Sequence, residues 1–146
     1  MSYHQLLYHI VFATKYRRPT INPMHDIELY KYIWGVTKNL DSKLHRINGI
    51  EDHIHLLVSI HPSIPLSEYV KKVKVSSNLW MKASGMFPKF TSWQNEYGAF
   101  TLSRSGKKSV TEYIKNQKAH HKKEKFYDEL QRLLIANEIP FDKKFL

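Results

Sequence analysis

The stretch Gly49–Ile60, GIEDHIHLLVSI, places two histidines inside an apolar run with the length and branched side chains of a β-strand. Side chains alternate across a strand, so His53 and His55 point to one face, and the aliphatic residues Ile54 and Leu56 point to the other. Two neighbouring imidazoles on a sheet face can hold a metal ion, or they can be polar residues on a solvated face. The rest of the chain has to decide between these interpretations.

The composition is that of one ordinary globular domain. The chain has 146 residues, of which 42% are hydrophobic, so it can bury a core, and we expect residues 1–146 to form a single domain. It contains no cysteine, which excludes disulfides and thiolate metal sites and is typical of a cytoplasmic protein. No apolar run approaches the roughly 20 residues of a membrane span, and the N-terminus lacks the pattern of a signal peptide. We therefore expect no membrane association.

The charge of the chain favours a polyanionic partner. Lys and Arg total 23 against 13 Asp and Glu, which gives a formal net charge of +10. Such a surface attracts nucleic acid through the release of counterions, and the 13% aromatic residues suit stacking on unpaired bases. The alternative is a basic protein without a nucleic-acid role, and charge alone does not separate the two.

The hydrophobic pattern around the opening stretch predicts an α+β fold. Residues 48–52, NGIED, predict a hairpin turn to a preceding strand at 43–50. The other predicted elements are a strand at 4–14, a helix from Pro23 to about Asn39, a helix opened by Ser67 and Glu68, a strand at 97–103, a helix containing 112–125 and a last helix at 126–138. This order is the ferredoxin-like (RRM-like) plan, an antiparallel sheet with helices on one face, followed here by C-terminal helices. If those helices cover the aliphatic face of the opening strand, the histidines point to the opposite, open face.

Tyr113 and Gln117 stand four residues apart on the first C-terminal helix, which Ser109 and Glu112 are predicted to open as a capping box. Residues at this spacing share a helix face, so a phenol and a carboxamide lie side by side. The ordinary explanation is an amphipathic helix with a half-buried tyrosine. The surrounding run Arg104–Lys125 carries eight Lys or Arg and two Glu, a local net charge of +6. That run is either a solvated face or a track for phosphates beside the tyrosine.

Together these side chains can perform phosphoryl transfer. Two imidazoles and one amide oxygen can anchor a divalent cation and leave positions open for phosphate oxygens. A tyrosine on the glutamine-bearing helix could then attack the phosphorus in line. The pKa of a free tyrosine is about 10, so at neutral pH the phenol needs activation by a nearby cation. The product would be a phosphotyrosine ester, which keeps the energy of the broken phosphodiester for a later rejoining step.

Residues in this order resemble those of the single-tyrosine transposases of bacterial insertion sequences, which belong to the His-hydrophobic-His (HUH) class of nucleases. The resemblance covers nearly the whole chain and rests on the segments YHIVFATKYRRP, GIEDHIHLLVSI, VKKVKVSSNLW, WQNEYGAF, VTEYIKNQKAHH and FYDELQRLLIANEIPFDKKFL. It implies a transposase that cleaves and rejoins single-stranded DNA, with Tyr113 as the nucleophile that forms a 5′-phosphotyrosine link. It also implies that His53, His55 and Gln117 bind Mg²⁺ or Mn²⁺, with no organic cofactor.

The resemblance further implies the partners and the setting of the protein. Such transposases recognise DNA hairpins near the ends of the element. They are homodimers in which the tyrosine helix often docks against the histidine pair of the other subunit. Ser105 and Gly106 stand where a hinge for that helix would be needed. We expect a cytoplasmic protein of a bacterium or an archaeon.

Basic residues and histidines outside the metal-binding set are the predicted DNA contacts. They lie after the first strand, in the second helix and along the tyrosine helix: Lys15, Arg17, Arg18, Lys74, Arg104, Lys115, Lys118, His120, His121 and Lys122. The two adjacent histidines could touch either metal or phosphate. A solvated surface is the alternative for each of these residues.

Three alternatives to a mobile-element transposase stay open from the sequence. One is a domesticated relative that acts on chromosomal repeats and would have a similar sequence. Another is a non-catalytic RNA- or DNA-binding ferredoxin-like module, which would leave the histidine pair, Tyr113 and Gln117 as coincidence. A small metal-binding structural protein is the third, and it leaves the basic run unexplained.

Overall fold

The computed structural model describes residues 3–146, in which four strands build one antiparallel sheet. The strands are β1 (Leu7–Ala13), β2 (Lys43–Ile50), β3 (His53–Ser59) and β4 (Gly98–Leu102). The helices are α1 (Asp26–Asn39), α2 (Leu66–Ser84), α3 (Lys107–Lys115), α4 (Gln117–His120) and α5 (Phe126–Ala136), with 3₁₀ turns at Lys15–Arg17, Arg104–Gly106 and Lys143–Phe145. The strand order across the sheet is β2-β3-β1-β4. This is the ferredoxin-like α+β arrangement that the element order predicts, and the prediction is confirmed.

The hairpin of β2 and β3 turns within the predicted NGIED segment. Gly49 lies opposite Ile54 across the hairpin, and a Cβ atom added to Gly49 would lie 2.1 Å from the backbone carbonyl oxygen of His53. Only a glycine therefore allows the two strands to approach so closely at this point. Since β3 pairs with β1 along its other edge, the histidine-bearing strand is an inner strand of the sheet.

The larger hydrophobic core lies between one face of the sheet and helices α1 and α2. Ile54, Leu56 and Val58 of β3 belong to this core, together with Ile10 and Phe12 of β1. The alternation predicted for the opening stretch is therefore confirmed, because Ile54, Leu56 and Val58 all face these two helices.

Helix α5 covers the opposite face of the sheet, which the element order had predicted to be open. A second cluster joins Val11, Ala13 and Phe100 of the sheet to Phe126 and Leu134 of this helix. Helices α1 and α2 lie on one face as predicted, but the C-terminal segment packs on the second face, which is therefore not open. The histidine pair of β3 consequently lies between two layers and not on an open surface.

The start of α1 differs from the prediction. The helix begins at Asp26 and not at Pro23. The Asn22 side chain accepts a hydrogen bond from the Met24 backbone nitrogen at 3.0 Å, and this closes a turn ahead of the helix. The end of α1 at Asn39 agrees with the prediction.

The tyrosine helix is shorter and starts earlier than predicted. α3 begins at Lys107, directly after a 3₁₀ turn, so Ser109 lies inside the helix and the predicted capping box is not formed. Asn116, with φ −93° and ψ 13°, ends α3 and separates it from the single turn of α4. Residues 121–125 then form the connection to α5 and are not helical as predicted.

The longest helix is α2, with 19 residues. Its sequence, LSEYVKKVKVSSNLWMKAS, carries charged residues along its length. Across residues 3–146, no helix combines the length and the apolar character that crossing a membrane requires.

Candidate active site

Strand β3 carries its two histidines into a closed environment. His53 and His55 are both fully buried, and their ring centroids lie 5.0 Å apart. Both side chains point away from α1 and α2, as the strand alternation predicts. The interpretation as polar residues on a solvated face is therefore wrong for this pair.

Glu129 of α5 is the centre of the buried cluster. Its Oε1 atom lies 3.1 Å from Nε2 of His53 and 3.0 Å from Nε2 of His55. The same oxygen lies 3.0 Å from Nε2 of His121. The sequence predictions missed Glu129, although a signal was available. It follows Phe126 by three residues on the buried face of α5, where a carboxylate is rarely found without a partner.

The tyrosine helix brings Tyr113 and Gln117 to the same cluster. Gln117 is fully buried, and its Oε1 atom lies 3.3 Å from Nε2 of His53. Its amide nitrogen donates to Oε2 of Glu129 at 3.0 Å, and the Tyr113 hydroxyl donates to the same oxygen. The structure thus gathers Tyr113, Gln117 and the histidine pair of one chain around a single carboxylate.

The Nδ1 atoms of His53 and His121, which point away from Glu129, each contact a hydrogen-bond acceptor. Nδ1 of His53 lies 2.7 Å from Oδ1 of Asp52. Nδ1 of His121 lies 2.6 Å from the backbone carbonyl oxygen of Glu124. These contacts orient both rings so that Nε2 points to the centre of the cluster, as partners of metal-binding histidines do.

The ionisation of the imidazoles follows from their burial and their neighbours. Burial lowers the pKa of His55 to about 4, although Glu129 acts in the opposite direction. Burial also lowers the pKa of His9, whose Nε2 lies 2.8 Å from Nδ1 of His55, to about 3. For His53 burial again lowers the pKa, but the hydrogen bonds to Asp52 and Glu129 outweigh it, and the net shift is upward. His9 and His55 are therefore neutral at physiological pH, the form in which imidazole binds metals.

The pKa values of the Glu129 carboxylate and the Tyr113 phenol are shifted in opposite directions. Burial alone would raise the pKa of Glu129, but hydrogen bonds from the three imidazoles outweigh burial and lower it far below its usual range. Burial, followed by the contact with Glu129, raises the pKa of Tyr113. Arg132 acts the other way, since its Nη2 atom donates to the Tyr113 hydroxyl at 2.8 Å. Tyr113 is therefore a neutral phenol in this arrangement, and Arg132 is the neighbour that favours the phenolate.

Arg132, which the sequence predictions also missed, lies at the outer end of the cluster. Its side chain is 46% exposed, and its guanidinium lies 5.5 Å from the centroid of the Tyr113 ring. Nη2 of Arg132 also contacts Oε1 of Glu124 at 3.0 Å. The predicted contact residue His120 joins the same group, with Nε2 2.6 Å from that carboxylate oxygen. Arg132 is therefore a partly exposed cation in direct contact with the Tyr113 hydroxyl.

Two predicted DNA contacts are engaged within the fold instead. Nζ of Lys118 lies 2.8 Å from Oδ2 of Asp26 and donates to Oδ1 of Asn48 at 2.8 Å and to a β2 backbone carbonyl at 3.1 Å. Nζ of Lys74 donates to the backbone carbonyls of Gln94–Glu96 at 2.6, 3.2 and 3.0 Å. The three donors of each ammonium are thus occupied, and the geometry does not support a phosphate contact for either lysine.

The other predicted DNA contacts lie at the edge of the cluster or on the surface. Arg17 is half-buried, and its guanidinium lies 5.1 Å from the centroid of the Phe126 ring. Phe126 stacks on His53 with a centroid distance of 4.2 Å, so Arg17 borders the site. The remaining predicted contacts are exposed: Lys15, Arg18, Arg104, Lys115 and Lys122.

Four side chains of the cluster could hold a metal ion. The ligand atoms of His53, His55, His121 and Glu129 all lie within 4.8 Å of one another. Imidazole nitrogens and a carboxylate oxygen are donors that divalent transition metals accept. The site therefore has the donor set that metal-assisted chemistry requires.

The family of the chain follows from a comparison with known protein families. Residues 2–117, well over half of the chain, match the family described as IS200-like transposases. The chain belongs to the IS200-like transposase family. The matched range of this transposase includes the histidine pair, Tyr113 and Gln117, and it stops before α5.

Individual relatives agree with the family. The ISDra2 transposase TnpA of Deinococcus radiodurans is 26% identical over 129 residues, which covers 78% of this chain and 85% of the relative. The fold is similar to that in a crystal structure assigned to a transposase of Deinococcus radiodurans R1, with a TM-score of 0.63, 23% identity and coverage of 80% and 93% of the two chains. A solved REP-associated tyrosine transposase bound to a REP hairpin gives a TM-score of 0.62 at 14% identity, with coverage of 83% and 72%. These structures support the ferredoxin-like fold of the IS200-like transposase.

Proposed function

We propose that this transposase cleaves and rejoins single-stranded DNA through a 5′-phosphotyrosine intermediate, with Tyr113 as the nucleophile. The observation that carries the proposal is the convergence of Tyr113, Gln117 and the histidine pair on the buried carboxylate of Glu129. Phosphoryl transfer needs a nucleophile, a charge-stabilising group and metal ligands in one place. A binding module without catalytic activity has no need for such a buried cluster.

His53, His55 and Gln117 are the residues that we propose for binding Mg²⁺ or Mn²⁺, with no organic cofactor. The two histidines direct Nε2 to the centre of the cluster, and Oε1 of Gln117 lies 3.3 Å from Nε2 of His53. A neutral imidazole and an amide oxygen are both acceptable ligands for a divalent ion. When bound, such an ion polarises the phosphate and stabilises the negative charge of the transition state.

Tyr113 carries out the covalent step. A bond forms from its phenolic oxygen to the phosphorus, while the bond from the phosphorus to the 3′-oxygen of the preceding nucleotide breaks. The phenolic proton leaves Tyr113, and the departing 3′-oxygen takes up a proton to become a hydroxyl. Because one phosphodiester replaces another, a 3′-hydroxyl of a second strand can reverse the step without ATP. Arg132 stabilises the phenolate from its position 2.8 Å from the hydroxyl.

Single-stranded DNA with hairpin ends is the proposed substrate. The net charge of +10 favours a phosphate backbone, and the exposed Lys115 and Lys122 flank the segment that carries Gln117. The REP-associated tyrosine transposase, which has a similar fold, is bound to a REP hairpin. Hairpin recognition is therefore the mode of DNA binding that we propose for this chain.

We further propose that residues 1–146 form one domain and that the protein acts as a homodimer in the cytoplasm of a bacterium or an archaeon. The ISDra2 relative comes from the bacterium Deinococcus radiodurans. Tyr113 and the histidine pair meet within one chain, so the assembly of the site does not need a partner subunit. The dimer would instead bring two DNA ends together.

A covalent-trapping assay tests the proposed function. The protein is incubated with single-stranded DNA from the flanks of its own gene, with Mg²⁺ or Mn²⁺, and the products are separated on a denaturing gel. We expect a protein–DNA adduct that requires metal and single strands and that disappears in Tyr113→Phe and His55→Ala. Tight binding without an adduct, equal in the wild type and in both variants, would leave only a nucleic-acid-binding module.

A further inference from the structure

We propose that His121 and Glu129 complete the metal site, as further ligands beside His53, His55 and Gln117. This inference rests on the proposed function, because it takes the histidine pair as metal ligands. It adds two ligands from the C-terminal segment, beyond the residues 2–117 that match the family. It also gives Glu129 a second role, as the residue that positions the nucleophile relative to the metal.

The ligand atoms are spaced as in an octahedral site that keeps a position open for a phosphate oxygen. Oε1 of Glu129 lies 3.1 Å from Nε2 of His53 and 3.0 Å from Nε2 of His55. It lies 3.0 Å from Nε2 of His121. In an octahedral site with metal–ligand bonds of about 2.1 Å, neighbouring ligand atoms lie about 3.0 Å apart. Oε1 of Glu129 therefore lies at the distance of a neighbouring ligand from each of the three nitrogens, and five protein ligands would leave one position open for a phosphate oxygen.

The hydrogen bonds behind two of the rings assign their tautomers. The Asp52 carboxylate only accepts, so Nδ1 of His53, 2.7 Å away, carries a proton. The backbone carbonyl of Glu124 also only accepts, so Nδ1 of His121, 2.6 Å away, carries a proton as well. With its proton on Nδ1, a neutral imidazole offers Nε2 as its metal ligand. Nε2 of both rings lies 3.0–3.1 Å from Oε1 of Glu129, so the three atoms can bind one ion.

The donor atoms also indicate which divalent ion the site binds. Three imidazole nitrogens and one carboxylate also suit Mn²⁺ or Zn²⁺ better than Mg²⁺, which prefers oxygen ligands. Between the two metals of the proposed function, the added ligands therefore favour Mn²⁺.

The second oxygen of Glu129 connects the metal site to the nucleophile. Oε2 accepts hydrogen bonds from the Tyr113 hydroxyl and from the Gln117 amide, the latter at 3.0 Å. A carboxylate with one oxygen on the metal and the other on the phenol sets the distance between the two. Glu129 is thus both a metal ligand and a positioning residue for Tyr113.

Metal binding to the full-length, DNA-free protein tests this proposal. Mn²⁺ affinity is measured by isothermal titration calorimetry, and the Mn²⁺-induced rise in Tm is followed in parallel. We expect Glu129→Gln and His121→Gln each to weaken Mn²⁺ binding about 10-fold or more. Loss of a residue that only hydrogen-bonds a metal ligand already lowers metal affinity by about 10-fold or more. Asp128→Asn and His61→Gln change exposed residues of the same types and should leave the affinity unchanged.

A second variant guards against misfolding. Glu129→Asp keeps the charge and shortens the side chain by one methylene, so it should fold and bind Mn²⁺ with intermediate affinity. Far-UV circular dichroism of each variant without metal checks the fold.

The outcomes separate this inference from the proposed function. Unchanged or tighter Mn²⁺ binding by Glu129→Gln would overturn the inference, because the carboxylate would then compete with the metal instead of binding it. If His55→Ala loses Mn²⁺ binding while Glu129→Gln and His121→Gln retain it, the histidine pair stands and the added ligands are wrong. If the wild type binds no Mn²⁺, both proposals fail. Tighter binding of Mg²⁺ than of Mn²⁺ would also overturn the nitrogen-rich ligand set.

Discussion

The rings of Tyr113 and His55 lie in the same chain with their centroids 5.8 Å apart. The proposed nucleophile and the proposed metal-binding pair therefore meet within one chain, whereas the family resemblance implies that the tyrosine helix often docks against the histidine pair of the other subunit. We predict that a mixture of Tyr113→Phe and His55→Ala proteins forms no covalent adduct, because neither chain contains a complete site. The adduct gel described above measures this, with each protein mixed with wild type as the control. Restored activity in the mixture would mean that the tyrosine acts on the partner's histidine pair.

Arg132 is expected to support chemistry more than DNA affinity. Its guanidinium contacts the Tyr113 hydroxyl at 2.8 Å, where negative charge develops during attack. Removing one such donor commonly lowers a rate about 10²-fold, so Arg132→Gln should slow single-turnover cleavage by roughly this factor. Arg132→Lys keeps the charge and loses the planar guanidinium, so its cleavage rate should lie between those of the wild type and Arg132→Gln. An equal loss of DNA affinity, measured by fluorescence anisotropy, would instead make Arg132 a DNA-binding residue.

Lys118 and Lys122 are close in sequence but should behave differently. Lys122 is exposed, so Lys122→Met should lower the salt dependence of DNA binding by about one unit of slope. Lys118 pairs with the buried Asp26 at 2.8 Å, so Lys118→Met should leave that slope unchanged. The substitution should instead lower the free energy of unfolding, because the buried Asp26 carboxylate loses its partner. The loss should be only about 1–2 kcal/mol, because Lys118 itself is half-exposed. A reduced slope in Lys118→Met would return this lysine to the set of DNA contacts.

Two glycines give a matched test of the hairpin that positions the histidines. A Cβ atom at Gly49 would lie 2.1 Å from the His53 carbonyl oxygen, whereas one at Gly35 of α1 meets nothing within 4 Å. Gly49→Ala should therefore destabilise the protein by about 1–3 kcal/mol or more. Gly35→Ala should stabilise it by about 0.5–1 kcal/mol. Urea unfolding measures both, and equal effects of the two substitutions would contradict the close approach of β2 and β3.

The buried Tyr69 should make the stability of the protein depend on pH in the alkaline range. Burial raises the pKa of Tyr69 to about 12, against about 10 in the unfolded chain, although its contact with Thr37 acts the other way. The folded state therefore holds this proton more tightly, and the associated stability is complete below pH 10 and is lost as pH rises towards 12. The shift of this one pKa contributes about 2–3 kcal/mol to the free energy of unfolding below pH 10. Tyr69→Phe should flatten the unfolding free energy between pH 10 and pH 12 relative to the wild type, and an unchanged profile would contradict the shift.

Much of the fold was determined by local patterns in the sequence. The alternation in the opening stretch assigned His53 and His55 to one face, because successive side chains of a strand point in opposite directions. The spacing of Tyr113 and Gln117 likewise placed them on one side of the chain, and both reach the cluster although Asn116 interrupts the helix. The order of strands and helices was enough for the ferredoxin-like plan.

Tertiary structure alone decided how the site is completed. His55 and Glu129 are 74 residues apart, and no periodicity relates positions on different elements. Their contact exists because α5 packs its apolar side on the second face of the sheet and carries Glu129 with it. The same packing turns a face expected to be open into an interior, where burial and paired charges set the ionisation of each group. Local spacing therefore determined which side chains share a face, and long-range packing determined which of them meet.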